Sequence, residues 1–452
     1  MKQVHVGIDV GTTNIAVMAI DLDVKEPLYV ASEPNYRLAS SEPYAFVQDP
    51  HRIEATVYRL LAPIQNPIAS ICVTGQVHGI LYYDDKGEAV SPLYTWLDQR
   101  TMEEIDGIST VDLLEQSTGV QMPPGYGLLA HWANRRLKTV PSQAVGFCGI
   151  LEYISGRLIG SPLSKSDPSC LGPFGAFDAV SSTFDAEVLH LVFGYDNPRF
   201  LDPSPPFSIA GYTNKGVAVT YPVGDNQAGF FGMVSQWENS ALISIGTSGQ
   251  ISLFSRSSDC PPSMELRPFL GQGYLHVGAT LTAGKAYETL QKLLISVVHK
   301  AGFEMEDEQM FALMKEEASL EATLGALHVD TRFNGSRKEP HKRGVIDHID
   351  VNNLSLGNLV LATVEGIMAE LHAFGDDNPA VFAKMKNIVA LGSAIRKNHL
   401  FRQALQRRFD LPTIVPTIED GAAYGAALIG AVASQTASLD DVRTLVHAAL
   451  GT

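Results

Sequence analysis

The chain reads as an α/β protein made of two similar halves, and three observations carry that expectation. Val4 to Ile20 alternates β-branched and small residues, breaks at Gly11-Thr12-Thr13 and leaves as a second apolar strand, the period-2 pattern of a half-buried β-hairpin. Ala241 to Phe254 spells the same unit with Gly246-Thr247-Ser248 at its tip. At 452 residues the chain also exceeds what one hydrophobic core usually supports, so two domains are expected. One hairpin with a hydroxyl-rich tip is ordinary; two, half the chain apart, point to a duplicated fold whose tips grip the phosphates of one nucleotide.

After the first hairpin, which ends near Asp23, apolar strands such as Ile68 to Thr74 alternate with helix-like segments such as Ile53 to Leu61, the α/β pattern. Ser161 to Pro206 is rich in Ser, Pro, Gly and Asp and reads as irregular structure, either a substrate-facing insertion or a plain loop. Gln236 to Ser240 is short and polar, and as the expected hinge it divides the chain into domains 1–238 and 239–452. Downstream, Ala279 to Val298 and Leu356 to Phe374 carry helical spacing, Asn387 to Leu391 is a compact strand, and Leu400, Phe401, Ala404, Leu405, Arg408 and Phe409 trace one helix face. Gly421 to Ala433 is almost entirely small or aliphatic, a helix able to lie very close to a strand or a ligand.

The formal charge of −16 argues against nucleic acid or an anionic membrane as the main partner, because phosphate would be repelled at long range. No apolar run is long enough to cross a bilayer and no secretory signal is read, so a cytoplasmic location is expected. Cys72, Cys148, Cys170 and Cys260 are scattered without metal-ligand spacing and read as reduced thiols. Arg337, Lys338, His341, Lys342 and Arg343 form the one dense basic cluster, either a solvated loop or a phosphate contact.

Asp9 stands two residues before the first tip, so strand alternation keeps its carboxylate at the tip's end of the sheet, a place suited to Mg²⁺. Gly11 and Gly246 permit close backbone approach, and successive N–H groups with threonine hydroxyls make a concave donor set for phosphate oxygens. Asp225, in Gly224-Asp225-Asn226-Gln227-Ala228-Gly229, is either a base that takes the proton of an attacking hydroxyl or the N-cap of the following helix. Thr74-Gly75-Gln76-Val77-His78-Gly79 and Trp96-Leu97-Asp98-Gln99-Arg100 both follow short apolar stretches. Singly, His78 or Trp96 reads as a satisfied core residue; together the two groups outline a pocket for a polyhydroxylated ligand. Gly392-Ser393 closes a strand and opens a helix, a turn on which a flat base or ribose can lie, or an ordinary tight connection. Gly278 to Lys285 is one residue too long for a P-loop, and the signatures of zinc proteases, α/β-hydrolases and Rossmann dehydrogenases are missing.

In order, Gly-Ile-Asp-Val-Gly-Thr-Thr, Thr-Gly-Gln-Val-His-Gly, Gly-Asp-Asn-Gln-Ala-Gly, Ser-Ile-Gly-Thr-Ser-Gly and Leu-Gly-Ser-Ala-Ile-Arg-Lys-Asn resemble the FGGY family of carbohydrate kinases over nearly the whole chain. The resemblance implies an actin-like ATPase fold of two ribonuclease-H-like domains around a nucleotide cleft, with ATP and Mg²⁺ as cofactors. It implies Asp9 for Mg²⁺; Thr12, Thr13 and Thr247 for the phosphates; and Asp225 for proton abstraction. Gly284, Gly392, Ser393 and Asn398 would line the adenosine side, and Gln76, Val77, His78, Tyr126 and Asn226 would face the sugar. Pro124 to Gly127, Lys165-Ser166-Asp167, Val277 to Leu281 and Leu354 to Gly357 look most like the sedoheptulokinase branch. The chain departs from that branch at Thr282-Ala283-Gly284-Lys285, where Asn-Gly-Gly-Asn is usual, and at Gly335-Ser336-Arg337, where Gly-Glu-Arg is usual. The expected activity is phosphorylation of a ketose, sedoheptulose first, with xylulose or another ketose or polyol as the nearest alternative. A sensor-type ATPase and a silent sugar-binding module are the remaining classes. A small sugar is the expected partner, with room for a homodimer.

Overall fold

The structure, a computed structural model, describes residues 2–24, 26–196, 198–320, 327–336, 339 and 341–450. Val4–Val10 (β1) and Asn14–Ile20 (β2) pair antiparallel around the first tip, and Tyr29–Pro34 (β3) adds to β2. On its other side β1 pairs parallel with Ile68–Gly75 (β4), beyond which lie Ala218–Thr220 (β6) and Ile209–Tyr212 (β5), giving the order β5-β6-β4-β1-β2-β3. The second half repeats the plan. Ser240–Ile245 (β7) and Gly249–Ser255 (β8) form the hairpin, followed in sequence by Glu265–Phe269 (β9), Gly273–Thr280 (β10), Asn387–Leu391 (β11) and Thr413–Ile414 (β12). Their order is β9-β10-β8-β7-β11-β12, with β7 antiparallel to β8 and parallel to β11. Five strands therefore correspond pairwise, while β5 and β9 are extra edge strands, each peculiar to its own half.

Helix boundaries follow local chemistry. Pro50–Leu61 (α1) starts three residues before its first periodic residue, because Asp49 accepts from the backbone N–H of His51 and Arg52 and Pro50 occupies the first turn, where a missing N–H costs nothing. The stretch expected as one helix from Ala279 divides instead. Its first residues complete β10, whose ladder with β8 runs to Thr280, and the helix Gly284–Lys300 (α3) begins afterwards. Ser161 to Pro206 is more than a loop. Its helix Ala186–Phe193 buries Val188 and Val192, and Phe174, Phe193 and Phe200 pack around Phe147.

Two helices join the halves. Asp225–Met233 (α2) belongs to the first half of the chain, yet Phe230 and Phe231 pack with Trp237, Phe254 and Phe269 in a core shared with the second sheet. Gly421–Ala433 (α6) comes from the second half and lies across β1, β2 and β4 of the first sheet. The helices cross where Gly232 and Gly425 meet, and a Cβ on Gly425 would stand 1.8 Å from the Ala228 carbonyl oxygen. The expected hinge is a turn closed by the Asn239 N–H on the Gln236 carbonyl; its Trp237 is buried and carries the Arg443 guanidinium 4.2 Å over its ring. Between α3 and α6 lie Leu356–Asp377 (α4) and His399–Phe409 (α5), the latter with Leu400, Phe401, Ala404, Leu405 and Phe409 buried as expected, whereas Arg408, expected on the same face, is exposed in the last turn.

The four cysteines are free thiols, three of them buried, and burial pushes the Cys72 thiol up to about 12. Arg337 and Lys338 of the basic cluster lie outside the described residues; Lys342 reaches the carboxylates of Glu339 and Asp330 at 3.6 and 3.8 Å. No helix among the described residues is long and apolar enough to cross a membrane.

Candidate active site

The hairpin tips and the N-termini of α2 and α6 open onto one cleft of about 830 Å³. Asp9, Gly11, Thr12, Gln76, Val77, His78, Asp225, Asn226, Gly246 and Gly392 all line it. A second chamber of about 300 Å³ adjoins it, lined by Val77, His78, Tyr126 and Asp225 among others. Asp225 thus stands in the wall common to both spaces. Thr13, Thr247, Gly284, Ser393 and Asn398 stand back from the cleft lining.

Asp9 is the next-to-last residue of β1, with Oδ1 buried and without a hydrogen-bond partner among the described residues. Burial holds its carboxyl well above the usual range, and the carboxylates of Asp420 and Asp225 push it further. Asp225 is the first residue of α2; Gly224 occupies the cap position, so the capping alternative gives way. Its Oδ1 takes the Asn226 N–H at 2.7 Å. The side chain opens onto the cleft but is walled in by both halves, and burial raises its pKa while the Arg267 guanidinium pulls it down. Asp420 caps α6 by accepting the Ala423 N–H at 2.9 Å, and burial raises its carboxyl too. Two helix N-termini therefore face the cleft, a favourable field for anions.

The first tip is held by side chains from four segments, among them Asn35, whose Nδ2 donates to the Gly11 carbonyl at 2.9 Å. Thr12 Oγ1 accepts the Trp96 Nε1–H at 2.9 Å and donates to Gln76 Oε1 at 3.1 Å. Gln76 Nε2 donates to Gln48 Oε1 at 2.9 Å, and Gln48 Nε2 donates to the Thr12 carbonyl at 2.8 Å. The Thr12 hydroxyl is thus engaged inside the protein. Those of Thr13 and Thr247 are exposed, and neither has a hydrogen-bond partner among the described residues.

At the second tip, the first N–H groups of α3 dock on carbonyls. Ala283 and Lys285 donate to the Thr247 oxygen at 3.0 and 3.1 Å, and Gly284 donates to Gly246 at 2.9 Å. A Cβ on Gly284 would sit 2.3 Å from that Gly246 oxygen, so its local duty is the close approach of helix to tip. Gly392, at φ +102°, is similarly pressed onto Ile245. Ser393 is exposed at the start of a short helix. Asn398 caps α5 through the Leu400 N–H and donates to Tyr287 Oη at 3.2 Å, a tie between helices. Of the two departures, Lys285 pairs with Glu288 at 3.0 Å and Ser336 Oγ accepts the Glu339 N–H; Arg337 lies outside the described residues.

On the chamber side, the His78 and Tyr126 rings lie 4.8 Å apart at 55°. Asn226 Nδ2 donates across the cleft to Gln250 Oε1 at 3.1 Å and Ser252 Oγ at 2.9 Å on β8. Asp420 and Arg267 are among the lining residues that escaped the sequence reading. Asp420 had a signal, an acidic residue before a small-residue helix. Arg267, on β9 beside Asp225, had none.

This arrangement, two duplicated sheets whose hairpin tips face a shared cleft, is an actin-like ATPase fold. Residues 4–232 match the FGGY family of carbohydrate kinases, N-terminal domain, and residues 241–434 match its C-terminal domain; the chain belongs to that family and is a sugar phosphotransferase. Sedoheptulokinase of Homo sapiens is 24% identical over 95% of this chain and 97% of its own length. Xylulose kinase of Staphylococcus xylosus is 25% identical over 95% and 91%. The crystal structure of xylulose kinase from Rhodospirillum rubrum superposes with a TM-score of 0.83 at 21% identity, covering 97% of this chain and 92% of that one.

Proposed function

We propose that this kinase transfers the γ-phosphoryl group of ATP to a ketose hydroxyl, converting sedoheptulose to sedoheptulose 7-phosphate. The observation that carries the reading is the position of Asp225, shared by a cleft large enough for a nucleotide and a smaller chamber lined by His78 and Tyr126. The likeness to sedoheptulokinase and the branch phrases in the sequence favour the seven-carbon sugar; the xylulose kinase relative keeps xylulose as the second reading.

Asp225 takes the hydroxyl proton as the new O–P bond forms, and the raised basicity that burial gives it suits that task. The exposed hydroxyls and backbone N–H groups of the two tips receive the phosphates. Asp9 fits Mg²⁺, because its buried Oδ1 lacks a partner and this cation needs only one or two carboxylates beside phosphate oxygens and water. Mg²⁺ would neutralise charge on the transferring phosphates. Gln76, Val77, His78, Tyr126 and Asn226 hold the sugar, and Gly284, Gly392, Ser393 and Asn398 shape the adenosine side. Approach of domains 1–238 and 239–452 excludes water that would otherwise compete for the phosphoryl group.

The test is incubation with Mg·ATP and sedoheptulose, xylulose, ribulose or fructose, following ADP release and phosphosugar mass together. A preference for sedoheptulose is expected; ADP release without any phosphosugar refutes the reading. Asp225→Ala is expected to abolish transfer and leave ATP binding intact, and retained turnover would remove Asp225 as the base.

A further inference from the structure

The second sheet carries one strand that the first sheet does not match, the edge strand β9, and that strand reaches the acceptor chamber. Glu265 and Arg267 lie two residues apart on it, hence on one face, and both line the chamber. Arg267 also lines the main cleft. Among the described residues lining the two spaces it is the single Lys or Arg, set among Asp9, Asp225, Glu265, Glu419 and Asp420. The strand is fastened to the opposite half, since Gln227 Nε2, two residues beyond Asp225, donates to the Pro268 carbonyl at 3.1 Å.

The guanidinium is fixed and incompletely engaged. Nε and Nη2 both donate to Glu265 Oε2, at 3.1 and 2.6 Å. A guanidinium has five N–H donors in a rigid fork, so three remain without a protein acceptor among the described residues.

We propose that Arg267 is a specificity-determining residue for the acceptor, a guanidinium supplied by the second half of the chain that donates hydrogen bonds to oxygen atoms of the sugar bound beside Asp225. A half-buried cation with open donors favours a ligand that brings acceptors to them and rejects an analogue that leaves them unpaired. Glu265 sets the fork's orientation, so selection depends on where the sugar's oxygens lie. The inference rests on the chamber beside Asp225 being the sugar site.

The test compares wild type, Arg267→Lys and Arg267→Met on the four ketoses and on glycerol, a shorter acceptor with fewer oxygens. For Arg267→Met, KM of the preferred ketose should rise by about tenfold to a hundredfold, the range of a lost charge-assisted hydrogen bond. Loss of the charge beside Asp225 acts on every acceptor alike, so the readout is the ratio of kcat/KM for the preferred ketose to that for glycerol, which should fall about tenfold or more, while the KM for ATP changes less than about twofold. Arg267→Lys should recover part of the loss. An equal loss for every acceptor, a shift confined to ATP, or an unchanged ranking overturns the proposal. Should Arg267→Met fail to fold, Glu265→Gln serves, with relaxed discrimination among the ketoses expected and an unchanged ranking overturning it. A wild-type enzyme that phosphorylates none of the sugars refutes the sugar site itself, whereas turnover with unaltered selectivity in the variants refutes only the role of Arg267.

Discussion

Gly425→Ala should loosen the crossing of α2 and α6 and slow transfer, though Gly425 touches no substrate. The added Cβ would stand 1.8 Å from the Ala228 oxygen, 2.6 Å from its carbonyl carbon and 3.0 Å from the Gly232 nitrogen. All three are backbone atoms, so no rotamer relieves the clash, and bringing the first contact to 3.0 Å separates the helices by about 1.2 Å. The opposite side of α2 cannot simply retreat, because Phe230 and Phe231 are already packed against Phe269 and Trp237. Overpacking costs about 1–3 kcal/mol, here at the upper end, while alanine returns about 1 kcal/mol of helix propensity. A net loss of about 2 kcal/mol follows from those opposing effects. Since α2 carries Asp225 and α6 carries Asp420, a displacement near 1 Å should lower kcat by up to about a hundredfold. Urea unfolding followed by tryptophan fluorescence and steady-state kinetics read the two effects. Gly229→Ala is the control for stability: its Cβ would meet only the Ala422 nitrogen, at 4.0 Å, so the urea midpoint should hold or rise. A Gly425→Ala protein with wild-type midpoint and kcat, or a Gly229→Ala protein equally damaged, would refute the reasoning.

Burial raises the native pKa of Asp420 above its ordinary 3.8, so the folded protein binds that proton more tightly than the unfolded chain. Its contribution to stability is full below pH 3.8 and is lost as pH climbs through the native value. Asp420→Asn keeps the cap on Ala423 and escapes that loss, so without nucleotide and with chelator it should melt above wild type at neutral pH, the gap closing in acid; a lower melting point at neutral pH contradicts this. Thr12→Val takes a hydrogen-bond donor from the buried Gln76 oxygen and an acceptor from Trp96, at a cost of about 1–2 kcal/mol. Both KM for the sugar and the tryptophan emission should shift, and unchanged values would show that the network is dispensable.

The legible parts of this molecule are those written in consecutive residues. The hairpins and α5 declare themselves by period and α6 by its run of small residues, and Asp9 follows from the alternation of β1. What α6 lies against did not, because its partners β1 and β4 are remote in sequence and small residues show only that something comes close. Arg267 was invisible for the same reason: nothing in Glu-Leu-Arg-Pro-Phe tells that an edge strand reaches across to Asp225. Asn398 illustrates the converse, a residue singled out by motif whose side chain caps a helix and holds Tyr287. Thr12 belongs with it, since its hydroxyl is tied to Trp96 and Gln76 by contacts that no local pattern encodes.

The lending of α6 to the first sheet orders events on the ribosome. Gly7 in β1 is made to receive the Ala423 carbonyl, and a Cβ there would stand 1.8 Å from it. At about 5–20 residues per second, β1 emerges roughly 20–80 seconds before the segment that will cover it. Throughout that interval the nascent first domain presents an open apolar flank, a surface for a chaperone or for misassembly with a neighbouring chain. The same late segment delivers Asp420 to the cleft, so a stalled or truncated chain has its first sheet uncovered and lacks one of the cleft carboxylates.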